Sequence, residues 1–154
     1  MDALRLADAT ILIACASIYL GTGVTLVFFL FPIGPRLTPA TYQVPFVLPV
    51  LAATRFFTYM TTVMLVGSAG LVVLELGTLR WLAGAAYLLL TAAATAVTIL
   101  AIFPVNRRME EGIGDPVDLQ ATLRRWRGLN TVRASLWSVQ WAAIMAWWIA
   151  RAAG

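Results

Sequence analysis

Four long stretches without a charged residue constrain the fold of this 154-residue chain more than any other feature. They cover residues 9–35, 56–74, 81–106 and 134–150. Each is close to the roughly 20 residues that an α-helix needs to cross a bilayer core about 30 Å thick. Apolar residues make up 61% of the chain and charged residues 12%, whereas soluble domains have about 45–50% and about 25%. The sequence therefore predicts an all-α integral membrane protein.

We expect a single transmembrane domain over residues 1–154, built as a four-helix bundle. The predicted helices lie near residues 8–32, 53–76, 80–103 and 120–151, and the last begins with an amphipathic cytoplasmic extension. A fifth uncharged run, residues 37–54, contains Pro39, Pro45 and Pro49. Proline removes helix hydrogen bonds that lipid cannot replace. This run is therefore predicted to be a loop with an interfacial or re-entrant piece.

The arginines predict how the chain is oriented. Three of the 11 basic residues, all arginine, lie on the side of the termini, and eight lie on the opposite side. By the positive-inside tendency, loops 33–52 and 104–119 are cytoplasmic and both termini are outside. The absence of lysine and the many alanines indicate a bacterial protein, hence a multi-pass protein of the plasma membrane. Loop arginines favour membrane lipids as partners, and with no soluble basic domain we expect no nucleic acid binding.

Several kinds of chemistry are disfavoured by composition. The chain has no histidine, which removes the commonest transition-metal ligand and the usual general base near neutral pH. Its single cysteine, Cys15, excludes an intrachain disulfide. Glu75 is expected to pair with Arg80, and Asp118 to cap the last helix. We therefore predict no metal site and no cofactor.

Small and hydroxylated residues within the predicted spans have structural explanations. Glycines such as Gly23 and Gly84 permit close helix contact in lipid. The series Thr91, Thr95 and Thr98 is spaced so that each hydroxyl can bond back to its own helix.

One face of the last helix carries an unusual set of side chains. At helical spacing, Trp126, Asn130, Arg133 and Trp137 fall together. The uncharged run that follows has 17 residues, about 25 Å of helix, which brings Arg133 to the membrane edge or slightly within it. This face is either a membrane-boundary anchor, whose arginine reaches out to the headgroups, or the wall of a ligand site.

Two residues elsewhere are predicted to lie at the same depth. Arg55 begins the second uncharged helix, and Asn106 ends the third, both on the predicted cytoplasmic side. An inward-facing cluster of these residues with Arg133 would be a candidate binding site.

Two short motifs carry a family resemblance. The third helix ends in Phe103-Pro104-Val105-Asn106, and the fourth begins with Trp126, Asn130 and Arg133 in the pattern W-x-x-x-N-x-x-R. The chain resembles the DUF1772 or anthrone oxygenase-like family of small bacterial and fungal membrane proteins. Two positions depart from the family pattern, since Ile102 replaces a further asparagine and Thr131 a common histidine.

The resemblance implies an activity. Characterised relatives oxidise anthrones to anthraquinones with molecular oxygen and without metal or flavin. In this chain Trp126, Asn130 and Arg133 would be catalytic: the indole would stack on a planar aromatic substrate, the amide would bond its carbonyl, and the guanidinium would hold the anion. Substrate binding would further involve Arg55, Asn106 and Trp137.

Two other functions remain open at this point. One is a non-catalytic accessory subunit of a larger membrane complex, or a homo-oligomer, in which the Trp-rich face of the last helix is the contact surface. The other is a binder of a quinone or lipid without turnover. An enclosed cavity around Arg133 and Asn130 would favour an enzyme or a binder, and a lipid-facing or partner-facing position would favour the subunit.

Overall fold

The computed structural model describes residues 2–153 and, in that range, confirms the all-α prediction. The helices are α1 (Asp2–Thr25), α2 (Leu48–Leu74), α3 (Trp81–Val97), α4 (Phe103–Glu111) and α5 (Pro116–Ala152). Three π-helical turns, Leu26–Leu30, Gln43–Val47 and Thr98–Ile102, extend α1, precede α2 and join α3 to α4, and a short 3₁₀ turn spans Gly34–Arg36. The chain therefore folds into four long helical segments.

The long segments pack side by side in a ring, in which α1 and α3 each contact both α2 and α5. Close approach between them depends on glycine. A Cβ added to Gly23 would lie 3.2 Å from the Cβ of Ala134, and one added to Gly84 would lie 3.3 Å from the backbone nitrogen of Val72. Both distances are tighter than ordinary contact, so these glycines set the spacing of α1 against α5 and of α2 against α3, as the sequence predicts.

Among the described residues, three helical stretches are long and apolar enough to cross a membrane: Ala3–Leu30, Gln43–Leu74 and Trp81–Glu111. The fourth predicted span, residues 134–150, does not reach the same apolar character. Its serines, its tryptophans and Gln140 lower its hydropathy, and Gln140 itself is fully buried. This part of α5 is therefore less apolar than the three other stretches, and several of its side chains are buried against neighbouring helices.

The predicted loop over residues 37–54 is wrong from residue 43 onward, because the second long helix begins about ten residues earlier than expected, at Gln43. Pro45 falls within its first turn, where backbone N–H groups have no helical partner to lose, and Pro49 lies just after the π turn Gln43–Val47. Pro104 likewise follows the π turn Thr98–Ile102. The prolines are thus accommodated at helix starts and next to π turns instead of ending the helices.

The predicted loop over residues 104–119 is also largely helical. In α4, Val105 and Met109 are buried four residues apart, while Arg107 is exposed and pairs with Glu111 at 3.1 Å. This is an amphipathic helix that uncharged runs alone do not reveal. The cap of α5 is Asp115, whose carboxylate accepts from the Asp118 backbone N–H at 2.8 Å, so the predicted Asp118 cap lies three residues too late.

One buried tyrosine ties the loop end of the molecule together. Tyr42 is 1% exposed, its hydroxyl donates to the Met109 carbonyl at 2.8 Å, and it accepts from the Ile113 backbone N–H at 2.8 Å. It therefore satisfies the last turn of α4 and the link to α5 at the same time. The segment before α2 is fixed to α4 by this side chain.

We predict that Tyr42→Phe lowers the free energy of unfolding by about 1–3 kcal/mol, because a buried N–H and a carbonyl lose their partner. Unfolding in detergent micelles, followed by tryptophan fluorescence, measures the change. Tyr59→Phe is the matched control, since Tyr59 is 77% exposed, and it should differ from the unmodified protein by less than about 0.5 kcal/mol. Equal effects of the two variants would contradict the anchoring role.

At the opposite end, a buried carboxylate joins α2 to α3 and α1. Glu75 accepts from Thr78 Oγ1 at 2.9 Å and from Arg80 Nε at 3.0 Å, which confirms the predicted pair, and Arg5 Nε lies 3.9 Å from its other oxygen. Burial alone raises the pKa of Glu75, but the hydrogen bonds from Thr78 and Arg80 and the charges of Arg80 and Arg5 outweigh burial. The pKa therefore lies below its ordinary value of 4.5.

A lowered pKa in the folded state predicts the sign of a pH effect. The ionised Glu75 stabilises the fold fully above about pH 4.5, and this contribution is lost as the pH falls through the lowered pKa. Glu75→Gln should reduce the free energy of unfolding at pH 7 by about 1–3 kcal/mol and flatten the acid limb of the stability profile. An unchanged acid limb, measured from pH 7 to 3 in detergent micelles, would disprove the assignment.

Candidate functional site

A cavity of about 630 Å³ lies among the four long helices and runs from their middle to the end that carries Tyr42. Its deep part is lined by Tyr19, Met64, Thr91 and Gln140, one from each long helix. Near the loop end it is lined by the π-turn residues Leu26, Phe29, Leu30, Pro45, Thr98, Ile99 and Ile102, together with Asn106 and Trp126. All three π turns thus contribute to its wall, and such turns widen a helix locally.

Arg133 is the one charged residue among the described residues that line this cavity. Its guanidinium donates through Nη1 to Thr98 Oγ1 at 3.4 Å and through Nη2 to Asn130 Oδ1, and it lies 4.6 Å from the centroid of the Trp137 ring. No ion pair joins Arg133 to a carboxylate among the described side chains, and its Nε is buried without a hydrogen-bond partner. The cavity therefore holds a cation with neutral neighbours only.

The motif residues form one continuous series of hydrogen bonds. Trp126 Nε1 donates to Asn106 Oδ1 at 2.8 Å, Asn130 Nδ2 donates to the Trp126 carbonyl at 2.9 Å, and Asn130 Oδ1 accepts from Arg133. Because Asn106 lies in α4 and the other three residues lie in α5, the series links the two helices and fixes the position of the guanidinium. Asn130 is fully buried and acts through Arg133, since it does not line the cavity.

Aromatic side chains continue the wall beyond the guanidinium. Trp137 lies 4.6 Å from Tyr19 between ring centroids, and Tyr19 lies 4.9 Å from Phe57. The Tyr19 hydroxyl bonds with Thr61 Oγ1 and donates to the Phe57 carbonyl. Arg133, Trp137, Tyr19 and Phe57 therefore form a contiguous surface of one cation and three rings, suited to a planar apolar ligand.

Threonines supply most of the remaining polar atoms. Nine line the cavity, and eight of these donate their hydroxyl hydrogen to a carbonyl four residues earlier in their own helix, as predicted for the series Thr91, Thr95 and Thr98. Their oxygens can still accept a hydrogen bond, while their methyl groups add apolar surface. The wall is thus rich in acceptors and poor in free donors apart from the guanidinium.

The cavity is open along both flanks of α2. Phe29 and Ile33, which are 67% and 43% exposed, line it on the side of α1. Ile99 and Phe103, 53% and 39% exposed, line it on the side of α3 and α4. At the loop end, by contrast, Trp126 is buried and packs against Phe46 at 4.5 Å between ring centroids. The apolar flanks are therefore the accessible sides.

Of the six candidate residues from the sequence, four line the cavity: Trp126, Arg133, Trp137 and Asn106. Asn130 supports Arg133 from behind. Arg55 does not join them, because its side chain is exposed and it is not part of the cavity wall. Thr54 and Thr58, four residues apart, face the cavity from α2 and turn Arg55 to another face of the helix. The expected convergence of Arg55 with Arg133 is therefore absent.

Sequence reasoning missed several contributors to the wall, among them Tyr19, Gln140 and Thr98. Tyr19 and Gln140 lie within uncharged runs, and Thr98 falls in a series that helix geometry already explains. The only available signal was Gln140, an amide in the middle of an otherwise apolar helix. Polar residues in the middle of membrane-spanning helices generally face the bundle interior and mark functional positions.

Comparison of the chain with family models, curated proteins and solved structures finds no match in any of the three. The resemblance to the anthrone oxygenase-like family thus depends on the motif residues alone and stays a prediction.

We predict strong coupling between Trp126 and Asn106. Trp126→Phe and Asn106→Leu each remove the same hydrogen bond, and each should reduce the free energy of unfolding by about 1–2 kcal/mol. The double variant should lose less than the sum, because the shared interaction is lost only once. Denaturant unfolding in detergent micelles measures the cycle.

Trp126→Phe combined with Tyr59→Phe, whose site is exposed on α2, serves as the control pair. Its effects should add within about 0.5 kcal/mol. Additive behaviour of the Trp126 and Asn106 variants as well would contradict the hydrogen-bonded series.

Proposed function

We propose that this chain is a multi-pass protein of a bacterial plasma membrane that binds a planar aromatic molecule as its anion beside Arg133. We further propose that it acts on this ligand as a cofactor-independent oxygenase of the anthrone type. In this proposal both termini lie outside, the end that carries Tyr42 is cytoplasmic, and α5 completes a four-helix bundle with the three apolar stretches.

The surface supports the membrane part of the proposal. Large apolar side chains such as Phe28, Val66, Leu89 and Leu100 are each 68–76% exposed on the apolar helical stretches. A soluble monomer rarely exposes so many large apolar side chains on its helices. Exposed arginines, including Arg36, Arg107, Arg124 and Arg125, collect at the end with Tyr42, which supports a cytoplasmic position for that end.

The observation that carries the binding proposal is the charge of Arg133 inside the cavity. A cation removed from water is costly unless a counter-charge accompanies it. Thr98, Asn130 and Trp137 contribute only neutral contacts. An anionic ligand would supply the missing charge, and the adjacent rings would contact its apolar body, so the site favours an aromatic anion over a neutral or cationic molecule.

The proposed reaction needs little from the protein besides this stabilisation. An anthrone that loses a ring C–H proton becomes an extended phenolate-like anion, which can pass an electron to oxygen. The resulting radicals combine at the ring carbon into a peroxide, which loses water to give the anthraquinone. The balance is one anthrone and one O₂ to one quinone and one water. Arg133 would favour the anion and thereby ease the proton loss, with bulk water as acceptor.

A binder without turnover is the second candidate, and one observation favours it. No carboxylate is found among the described lining residues. Asp118, considered as a base, is bonded to Arg108 at 2.8 Å instead. The accessory-subunit function gains less support, because Trp126, Trp137 and Trp147 of the Trp-rich helix are buried within the chain and offer no outward contact surface.

We predict that the purified protein in lipid nanodiscs accelerates conversion of emodin anthrone to its quinone, followed by absorbance. Arg133→Gln should lower the rate above the protein-free blank by about tenfold to a hundredfold, the range expected when a charge-assisted bond is lost. Arg55→Gln is the matched control and should retain full activity, because Arg55 lies outside the cavity wall.

The alternatives separate cleanly in this experiment. A rate equal to the protein-free blank would refute the oxygenase function for this substrate class. The binder function would then be supported if an aromatic acid binds saturably to the protein and to Arg55→Gln but not to Arg133→Gln. Equal rates in the two arginine variants would refute the role of Arg133.

A further inference from the structure

A second polar group of the cavity lies well away from Arg133. Gln140 is fully buried, lines the deep part of the cavity, and its Oε1 is buried without a hydrogen-bond partner. A buried carbonyl oxygen without a hydrogen-bond donor lowers the stability of the fold, and a donor from a ligand would remove this cost. The proposed function makes no use of this residue, which contacts neither Arg133 nor the motif residues through a hydrogen bond.

The hydrogen bonds around Gln140 determine which way its amide points. Its Nε2 donates to Thr91 Oγ1, and Thr91 Oγ1 has already given its own hydrogen to the Tyr87 carbonyl at 2.8 Å. The atom that meets Thr91 must therefore be a donor, which can only be the Nε2 of Gln140. Oε1 is left over as an acceptor, and Thr91 holds the amide in this orientation.

The spacing of the two polar groups defines the shape of a ligand. Arg133 and Gln140 are seven residues apart on one helix, which puts them on the same face about 10 Å apart along the axis. Their threonine partners, Thr98 and Thr91, are also seven residues apart on the facing helical segment. Trp137 lies between the two along the helix and its ring packs against Tyr19, so a flat apolar body would connect the two polar ends.

We propose that Gln140 is a specificity-determining residue that accepts a hydrogen bond from a hydroxyl at the end of the aromatic ligand remote from its anionic group. The inference rests on the proposed binding of an aromatic anion at Arg133 and narrows its substrate class to polycyclic phenols with such a distal hydroxyl. A ligand of this class would pair with the Arg133 guanidinium and also donate a hydrogen bond to Gln140 Oε1. A ligand that carries its hydroxyl beside the anionic group satisfies only the cation.

Three naphthoates that do not react with oxygen test this inference by titration of tryptophan fluorescence. They are 2-naphthoate, 6-hydroxy-2-naphthoate with the hydroxyl at the far end, and 3-hydroxy-2-naphthoate with the hydroxyl beside the carboxylate. The protein should bind the 6-hydroxy compound about fivefold to tenfold more tightly than 2-naphthoate, the gain expected of one neutral hydrogen bond. The 3-hydroxy isomer should gain nothing. This comparison uses the unmodified protein and does not depend on the folding of a variant.

Variants of the protein test which residue causes the tighter binding of the 6-hydroxy compound. Gln140→Met, close in volume, should abolish the preference for the 6-hydroxy compound and leave the affinity for 2-naphthoate within about twofold. Arg133→Gln should weaken both compounds by the same factor. Gln43→Leu, which removes an exposed glutamine outside the cavity, should change neither.

The outcomes distinguish this inference from the proposed function. Arg133-dependent binding of 2-naphthoate without any preference for the 6-hydroxy compound would overturn the role of Gln140 and leave the proposed binding intact. A preference that survives Gln140→Met would overturn it equally. Failure of all three naphthoates to bind would overturn the inference together with the proposed binding of aromatic anions.

Discussion

The backbone of this chain has to satisfy its own hydrogen bonds within long apolar helices, and proline interferes with that requirement at one end only. Pro32, Pro45 and Pro104 each lie within or just after a π-helical turn. In a π turn the hydrogen bonds reach five residues back, as in the bond from the Phe31 N–H to the Leu26 carbonyl at 2.8 Å. The opposite halves of the helices have no such turns and pack closely. The loop end of the cavity lies where the turns are, so the position of the prolines and the position of that end of the site have a common physical origin.

The cavity in turn makes the polar series around Arg133 necessary. A guanidinium beside an apolar space needs a partner for its N–H groups, and Asn130 and Thr98 provide two. Asn130 is itself held by the Trp126 carbonyl, and the Trp126 indole is held by Asn106. Each side chain satisfies the next, which keeps the desolvation cost low without neutralising the charge. The charge therefore stays available to a ligand, whereas a carboxylate in place of Asn130 would have cancelled it.

The sequence was sufficient for several features that depend on the spacing of residues along one helix, although the amphipathic helix α4 was missed. The face of Trp126, Asn130, Arg133 and Trp137, the back-bonded threonines and the close-packing glycines follow from a period of 3.6 residues. The sequence was insufficient for predicting which faces of two different helices point toward each other. Arg55 was expected beside Arg133 because both were predicted to lie at the same membrane depth. Depth does not determine which face of a helix a residue occupies, and Thr54 and Thr58 occupy the inner face of α2. Helix starts at proline were missed for a related reason. Proline was treated as a breaker, whereas in the first turn it removes no bond.

Access from the flanks of α2 has a consequence for the proposed chemistry. Molecular oxygen is apolar and dissolves better in hydrocarbon than in water, and a polycyclic phenol also partitions into the bilayer. A cavity that opens through Phe29 and Ile33 on one side and Ile99 and Phe103 on the other would receive both reactants from the same phase. The ionised ring is poorly soluble in the bilayer, and in the proposed reaction Arg133 would stabilise this ionised form and not the neutral one. On this proposal the protein need not carry a redox group, because the membrane concentrates the reactants and a single desolvated cation selects the species that reacts.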